Sequence, residues 1–288
     1  EAIIIAVASI DVDDNDLPCK RTITLSFELS DSCGNVNPEL FICVYEIYDN
    51  TAPTFTVPDD VTLSCEDDVD DLTLAGDVTD EEDNCVAGLE AAYTDAADLS
   101  GCLGTGTILR TWTLSDGCGN TTTITQTITI VDETVPVITC PPNVFVNCEA
   151  STLPANTGTA TATDNCDPMP TVTYSDSSLP GDCPQEQTIT RIWLAGDACG
   201  NTATCVQIIA VQDTTRPVIV CPGDVIVSCE ADHLPSMTGT ATATDNCDLS
   251  LVILFTDEKT VGNCPQDTTI SRRWIAVDDC GNIAICVQ

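Results

Sequence analysis

Basic residues are scarce in this chain: eight Lys and Arg stand against 46 Asp and Glu, for a formal net charge of −38. A surface of that sign repels phosphate backbones and anionic lipid, which sets aside nucleic acid and anionic membranes as partners. Histidine is almost missing. His233 is alone, so a Ser–His or Cys–His mechanism has one place at most, and His233 lies in the loop-like stretch EADHLP, where it reads as a surface residue. There is no CxxC pair, and with a single histidine this removes the usual zinc ligand sets. No glycine-rich phosphate loop is present; DGCGN and DACGN read as hairpin turns. No run reaches eighteen apolar residues, so no segment reads as a membrane-spanning helix. Ala2–Ile10 is apolar, but no basic region precedes it and no cleavage-like site follows, so it reads as a strand. Aromatics make up only 4% of the chain, so any one core is thin. With no catalytic constellation left, the expectation is a protein that is not an enzyme.

What the chain has instead is repetition. Thr157–Asp167, TGTATATDNCD, returns letter for letter at Thr238–Asp248, 81 residues on. Cys85, Cys166 and Cys247 keep the same step, as do Cys102, Cys183 and Cys264, Cys118, Cys199 and Cys280, and Trp112, Trp193 and Trp274. A fixed step of this size marks tandem modules. We place an N-terminal segment at 1–52, resembling the second half of a module, then repeats at 53–135, 136–216 and 217–288, the last truncated at its final strand. The complementary halves are expected beyond Glu1 and Gln288 or in neighbouring chains.

Inside a repeat the pattern is β. Thr121–Val131 alternates with period two over its whole length, and Val144–Cys148, Thr159–Thr163 and Thr171–Tyr174 are rich in Thr and Val. Turn-forming clusters such as PPN, DNCDP and SSLPGD separate them, and no segment has a helical period. Roughly seven short strands per repeat imply an all-β fold of tandem immunoglobulin-like β-sandwich modules. By parity Arg110, Trp112 and Leu114 face inward, and Arg110, Arg191 and Arg272 each precede a Trp by two. Each guanidinium is expected to lie over the ring or to pair with a carboxylate at the edge of the core.

Nineteen cysteines in small modules point to disulfide stapling in an oxidising, extracellular or cell-surface setting. The first repeat lacks two cysteines of the other repeats, carrying Val57 and Ile124 instead. Partners are lost together, so Cys140 is expected to bond Cys205, and Cys221 to bond Cys286. The four remaining cysteines of a repeat can join in three ways. Sandwich topology, with the DNC loop and final hairpin at one end, favours Cys166–Cys199 with Cys148–Cys183, and likewise Cys247–Cys280 with Cys229–Cys264 and Cys85–Cys118 with Cys65–Cys102. Cys19, Cys33 and Cys43 lack upstream partners.

The string DACGNTATCVQIIAVQDTTRPVIVCPGDVIVSC, with its CPPNV and CPGDV starts, ATDNC loop, RxW strand and DxCGN hairpin, resembles hyalin-repeat-like (HYR-like) immunoglobulin-type modules. Its flavour is similar to the tandem repeats of very large Bacteroidota surface adhesins, including gliding-motility adhesins and filamentous appendages. The resemblance runs through all 288 residues, departing in the first repeat, which lacks one cysteine pair, and at NVNPELFIC, where Cys43 has no counterpart. It implies a structural stalk on a cell surface, with other copies of the chain, neighbouring repeats, and glycans or proteins of other cells as partners. The alternative is a module that itself binds glycan or protein, disfavoured by near-uniform loops with almost no aromatics.

One chemical expectation remains. In an immunoglobulin-type sandwich the DNC loop and final hairpin meet the linker from the preceding module. That gathers Asp213 with Asp245, Asp248 and Asp278; one junction earlier, Asp132 with Asp164, Asp167 and Asp197; and before that Asp49 with Asp83 and Asp116. Clustered carboxylates suit calcium. The competing reading is that they only close turns by accepting from nearby amides. Asn120-Thr-Thr also fits a glycosylation pattern.

Overall fold

A computed structural model of the protein describes residues 4–13, 19–264 and 267–288. The chain divides into two compact units, Glu1–Glu133 and Thr134–Gln288.

The first unit opens with an antiparallel sheet of β1 (Ile4–Asp13), β2 (Lys20–Ser30) and β3 (Phe41–Tyr48), in that order. The strand expected over Ala2–Ile10 is seen from Ile4; Ala2 and Ile3 lie outside the described residues. There follow β4 (Thr54–Thr56), β5 (Val61–Ser64), β6 (Thr79–Glu82), β7 (Ala92–Asp98), β8 (Gly106–Ser115) and β9 (Thr121–Val131). They form a two-stranded sheet β4-β6 and a four-stranded sheet β5-β9-β8-β7. The second unit repeats this plan with β10 (Val137–Thr139), β11 (Val144–Asn147), β12 (Thr161–Thr163), β13 (Thr171–Pro180), β14 (Gln187–Gly196) and β15 (Thr202–Gln212), as sheets β10-β12 and β11-β15-β14-β13. It continues with β16 (Val218–Val220), β17 (Thr242–Thr244), β18 (Val252–Val261), β19 (Thr268–Val277) and β20 (Ile283–Val287), as sheets β16-β17 and β18-β19-β20. Each repeat is thus an all-β sandwich of a small and a larger sheet, with six strands where seven were expected in the first two.

The larger sheet is antiparallel except at one edge. There β5 runs parallel to β9, Val61 opposite Ile128, and β11 runs parallel to β15, Val144 opposite Ile209. This gives the long final strand neighbours on both sides over its second half and buries its alternate residues: Ile209 is fully buried and Val211 nearly so. In the third repeat Val225–Val227 is not paired as a strand, and a cleft of about 540 Å³ lies between it and Thr268–Arg272.

Three single-turn helices were not legible from periodicity, because four residues are too few to show one. They are α1 (Leu72–Ala75), α2 (Pro154–Thr157) and α3 (Pro235–Thr238). Proline opens the second and third, where a missing N–H costs nothing. Glycine closes all three with φ between +87° and +98°, a region L side chains avoid, and a Cβ there would come within 2.7 Å of Pro58, Pro141 or Pro222. The identical string Thr157–Asp167 is therefore a corner, running from the helix end through Gly158 and β12 into the DNC loop.

Candidate functional site: buried charge networks, bridges and junction carboxylates

The inward face of β8 carries Ile108, Arg110, Trp112 and Leu114, all buried. Each inward arginine is completely or almost completely buried and is neutralised by an aspartate on the neighbouring strand: Arg110 by Asp95, Arg191 by Asp176 and Arg272 by Asp257, through paired bonds of 2.7–2.9 Å. Such two-point guanidinium–carboxylate pairs are short and charge-assisted. The pairing holds the Asp257 carboxyl below its ordinary value and raises all three guanidinium values. Of the two expected partners the carboxylate is the close one. The nearer ring is not the tryptophan but its cross-strand neighbour: Arg110 lies 3.9 Å from the Tyr93 ring and 5.9 Å from that of Trp112, and Arg191 and Arg272 favour Tyr174 and Phe255 in the same way.

Sequence reasoning missed a second buried polar group. Gln126, Gln207 and Gln288 sit two residues after the Ile124, Cys205 and Cys286 positions on the inward parity of the last strand. Gln126 and Gln207 are essentially inaccessible, and each Nε2 donates to two backbone carbonyls of the opposite layer, Asp59 and Ala75 or Pro142 and Thr157. Gln288 does the same to Gly223 and Thr238. A polar residue at an inward position, recurring with the 81-residue step, was the available signal.

Fourteen of the cysteines are disulfide-bonded. Cys140 is joined to Cys205 and Cys221 to Cys286, each closing 65 residues. The other expected pairings need correction. Cys148 bonds Cys247, not Cys183, and Cys183 bonds Cys280, over separations of 99 and 97 residues. Both bridges tie the second repeat to the third. In the first unit Cys118 bonds Cys19, again 99 apart, and not Cys85. Cys65, Cys102, Cys166 and Cys199 are also bonded. Cys85, Cys229 and Cys264, expected in bridges, are exposed free thiols, as are Cys33 and Cys43. The reason is geometric. A bridge needs Cα atoms within about 7 Å. Cys148 follows β11, whose end lies against Gln212 through the Cys148 amide, and so sits beside the linker into the next repeat. From there its Cα is 6.2 Å from that of Cys247.

Between the second and third repeats the charges of Asp245, Asp248 and Asp278 lie near Asp213. Asp213, Asp248 and Asp278 are at least 95% buried. Burial, and then the nearby charges of Asp245, Asp278 and Asp248, push the Asp213 carboxyl above its ordinary value. Much of the cluster is turn chemistry. Asp213 Oδ1 accepts from the Thr215 amide, Asp245 Oδ1 from Cys247 and Asp248, Asp248 from Ser250 and Asp279, and Asp278 from both nitrogens of Asn282. The Asn282 side chain also donates to the Asp213 carbonyl at 3.1 Å, pinning the linker to the final hairpin. The first unit repeats the arrangement: Asn120 donates to the Asp49 carbonyl at 3.2 Å and to Asp116, so this sequon amide is committed to the junction. A carboxylate oxygen of Asp49 lies within 4.8 Å of ones from Asp83 and from Asp116. The Cys85 thiol beside them, though exposed, is pushed up by local desolvation and by the charge of Asp49. Asp164, Asp167 and Asp197 hold the same turns, accepting from Cys166, Met169 and Asn201 respectively, and Asp132 is buried.

Residues 53–130 match the family model described as an HYR-like domain with four cysteines. Hyalin of Strongylocentrotus purpuratus is 26% identical over 260 residues, which is 86% of this chain and 20% of that protein; the chain thus spans about a fifth of the relative's length. Among solved structures, the protocadherin gamma B7 extracellular cadherin domains 1–4 align over 99% of this chain and 90% of theirs, with 13% identity and a TM-score of 0.35. Drosophila N-cadherin EC1–4 aligns over the same shares with 9% identity and a TM-score of 0.26. Among the described residues no helix is long and apolar enough to cross a membrane.

Proposed function

We propose that this chain is part of the repeat region of a secreted or cell-surface filament or adhesin, acting as a stiff, disulfide-stabilised stalk. Its work is reach: surface attachment, gliding, or contact with other cells or prey, on surfaces of the Bacteroidota type that its repeats resemble. Other copies of the chain, neighbouring repeats, and glycans or proteins of other cells are its partners. It performs no turnover.

The observation that carries this reading is that bridges join successive repeats as well as closing single ones. In Thr134–Gln288 the shortest covalent route bypasses 65 residues at Cys140–Cys205 and 65 more at Cys221–Cys286, while Cys148–Cys247 and Cys183–Cys280 cross-lock the segments between. Tension along the chain therefore passes through sulfur bonds and short linkers and not through the hydrogen-bonded ladders of the sandwiches. The proline in the DTTRP linker further limits bending.

Pulling single chains from their ends tests this. Oxidised protein is expected to give almost no lengthening from Thr134–Gln288 before rupture. In reductant each released 65-residue closure adds roughly 200 Å, at about 3.3 Å per extended residue. Oxidised chains that lengthen as far as reduced ones would refute the mechanical reading. Nothing in the loops favours the alternative of a glycan- or protein-binding module over it.

A further inference from the structure

We propose that Asp213 and Asp245, together with Asn246, form a divalent-cation site of calcium type at the junction between the second and third repeats, and that Asp49 and Asp83 form its counterpart before the first. The proposal does not depend on the mechanical reading above.

Turn closure explains one oxygen of each of these aspartates and leaves the other. Asp213 Oδ2 and Asp245 Oδ2 are buried and accept no hydrogen bond, and so is the side-chain oxygen of Asn246, the next residue in the DNC loop. Asp213 is 4% exposed. A buried carboxylate oxygen with no protein donor loses its hydration unless an ordered water or a cation meets it, and beside further carboxylates a cation is the favourable partner. No base does so here: among the described residues no ion pair joins Asp213 or Asp245 to Lys or Arg. The neighbours of Asp213 are instead three more carboxylates, whose charge and burial already raise its carboxyl.

The same leftover recurs two module steps away in the other unit. Asp49 Oδ2 and Asp83 Oδ1 are buried without partners, while Asp49 Oδ1 and Asp83 Oδ2 hold the Thr51, Cys85 and Val86 amides. Two independent junctions thus spend one oxygen on the turn and present the second inward. The chemistry of the set selects the ion. At the Asp213 junction all free donors are oxygens, whereas beside Asp49 and Asp83 stands the free thiol of Cys85, a poor ligand for a hard cation. The sulfurs of Cys148 and Cys247, within 4.8 Å of the Asp213 carboxylate, are bonded to each other and unavailable as thiolates. Carboxylate, amide and water oxygens suit a hard cation that tolerates irregular coordination, which is calcium in preference to magnesium or zinc.

Calorimetric titration of the full oxidised chain with calcium, with magnesium in a parallel arm, tests the site. Calcium is expected to bind and magnesium to bind at least tenfold more weakly. Asp213→Asn and Asp245→Asn should each weaken one calcium site tenfold or more and leave the Asp49 site intact, while Asp49→Asn should do the converse. Non-reducing mass mapping of Cys148–Cys247 checks that each variant is folded, and Asp245→Asn decides the matter if Asp213→Asn is not. No calcium heat at neutral pH, equal binding of magnesium, or unchanged stoichiometry and affinity in the folded Asp213 or Asp245 variant would overturn the proposal.

Discussion

The first and second repeats solve the same packing problem by different means. In the second, Cys140–Cys205 joins the short segment before β11 to β15. In the first, Val57 and Ile124 occupy those positions and pack with Phe55, Trp112 and Leu114 in one apolar cluster. The buried polar groups differ in step. With Ile124 in place, Trp112 Nε1 donates to Gln126 Oε1 at 3.2 Å; in the bridged repeats Trp193 Nε1, Trp274 Nε1 and the side-chain oxygens of Gln207 and Gln288 are buried without partners. The arginine networks differ as well. Arg191 Nη1 donates to the Thr157 hydroxyl at the end of α2, and Arg272 to Thr238. The first repeat has Ala75 at that place and leaves Arg110 Nη1 unpaired, with Asp70 as a second carboxylate 3.6 Å from the guanidinium. A covalent bridge thus coexists with imperfect polar pairing nearby, whereas the unbridged core depends on apolar contact and a Trp–Gln bond.

The largest effect that would break this contrast is removal of the counter-charge. Asp176→Ala leaves Arg191 buried with no carboxylate, a change that costs about 3–5 kcal/mol, read as lost hydrogen-exchange protection across Thr202–Gln212. Asp95→Ala in the first repeat should cost less, because Asp70 stands in; equal losses would show that Asp70 contributes nothing. Next comes the bridge. Cys140→Ser with Cys205→Ser should lose about 4 kcal/mol by the chain-entropy account of a 65-residue closure. Cys140→Val with Cys205→Ile, which copies the first repeat, should recover part of that and lose its sensitivity to reductant, measured by calorimetry with and without dithiothreitol. The smallest effect should come from Ala75→Thr, which restores the missing acceptor for Arg110 Nη1 and should stabilise the first repeat by about 1 kcal/mol. A loss there would mean that the space around Ala75, buried against Leu63 and Ile128, is closed to a hydroxyl and a methyl group.

The arginine–tryptophan strand and its inward parity were legible in the sequence because β alternation shows on a single strand, as Thr121–Val131 does without reference to anything else. The counter-charges were not. Asp95 and Asp176 stand fifteen residues before their arginines, across a cross-strand register that only the hairpin geometry sets. The one-turn helices escaped because a period cannot be seen in four residues. The bridges escaped for a different reason. Each partner in the next repeat, Cys247 or Cys280, has an image 81 residues earlier, Cys166 or Cys199, inside the repeat of the cysteine it bonds, so the repeat pattern alone does not choose between them.

By itself, then, the sequence determined that this protein is built of β modules with a fixed step, stapled by sulfur and strongly acidic, since these follow from composition, alternation and identity between segments. Only the tertiary structure decided where each staple goes and which carboxylate oxygens are left over. Both depend on which ends of neighbouring repeats approach within a few ångströms, and a repeat that looks the same at every step carries no record of that distance.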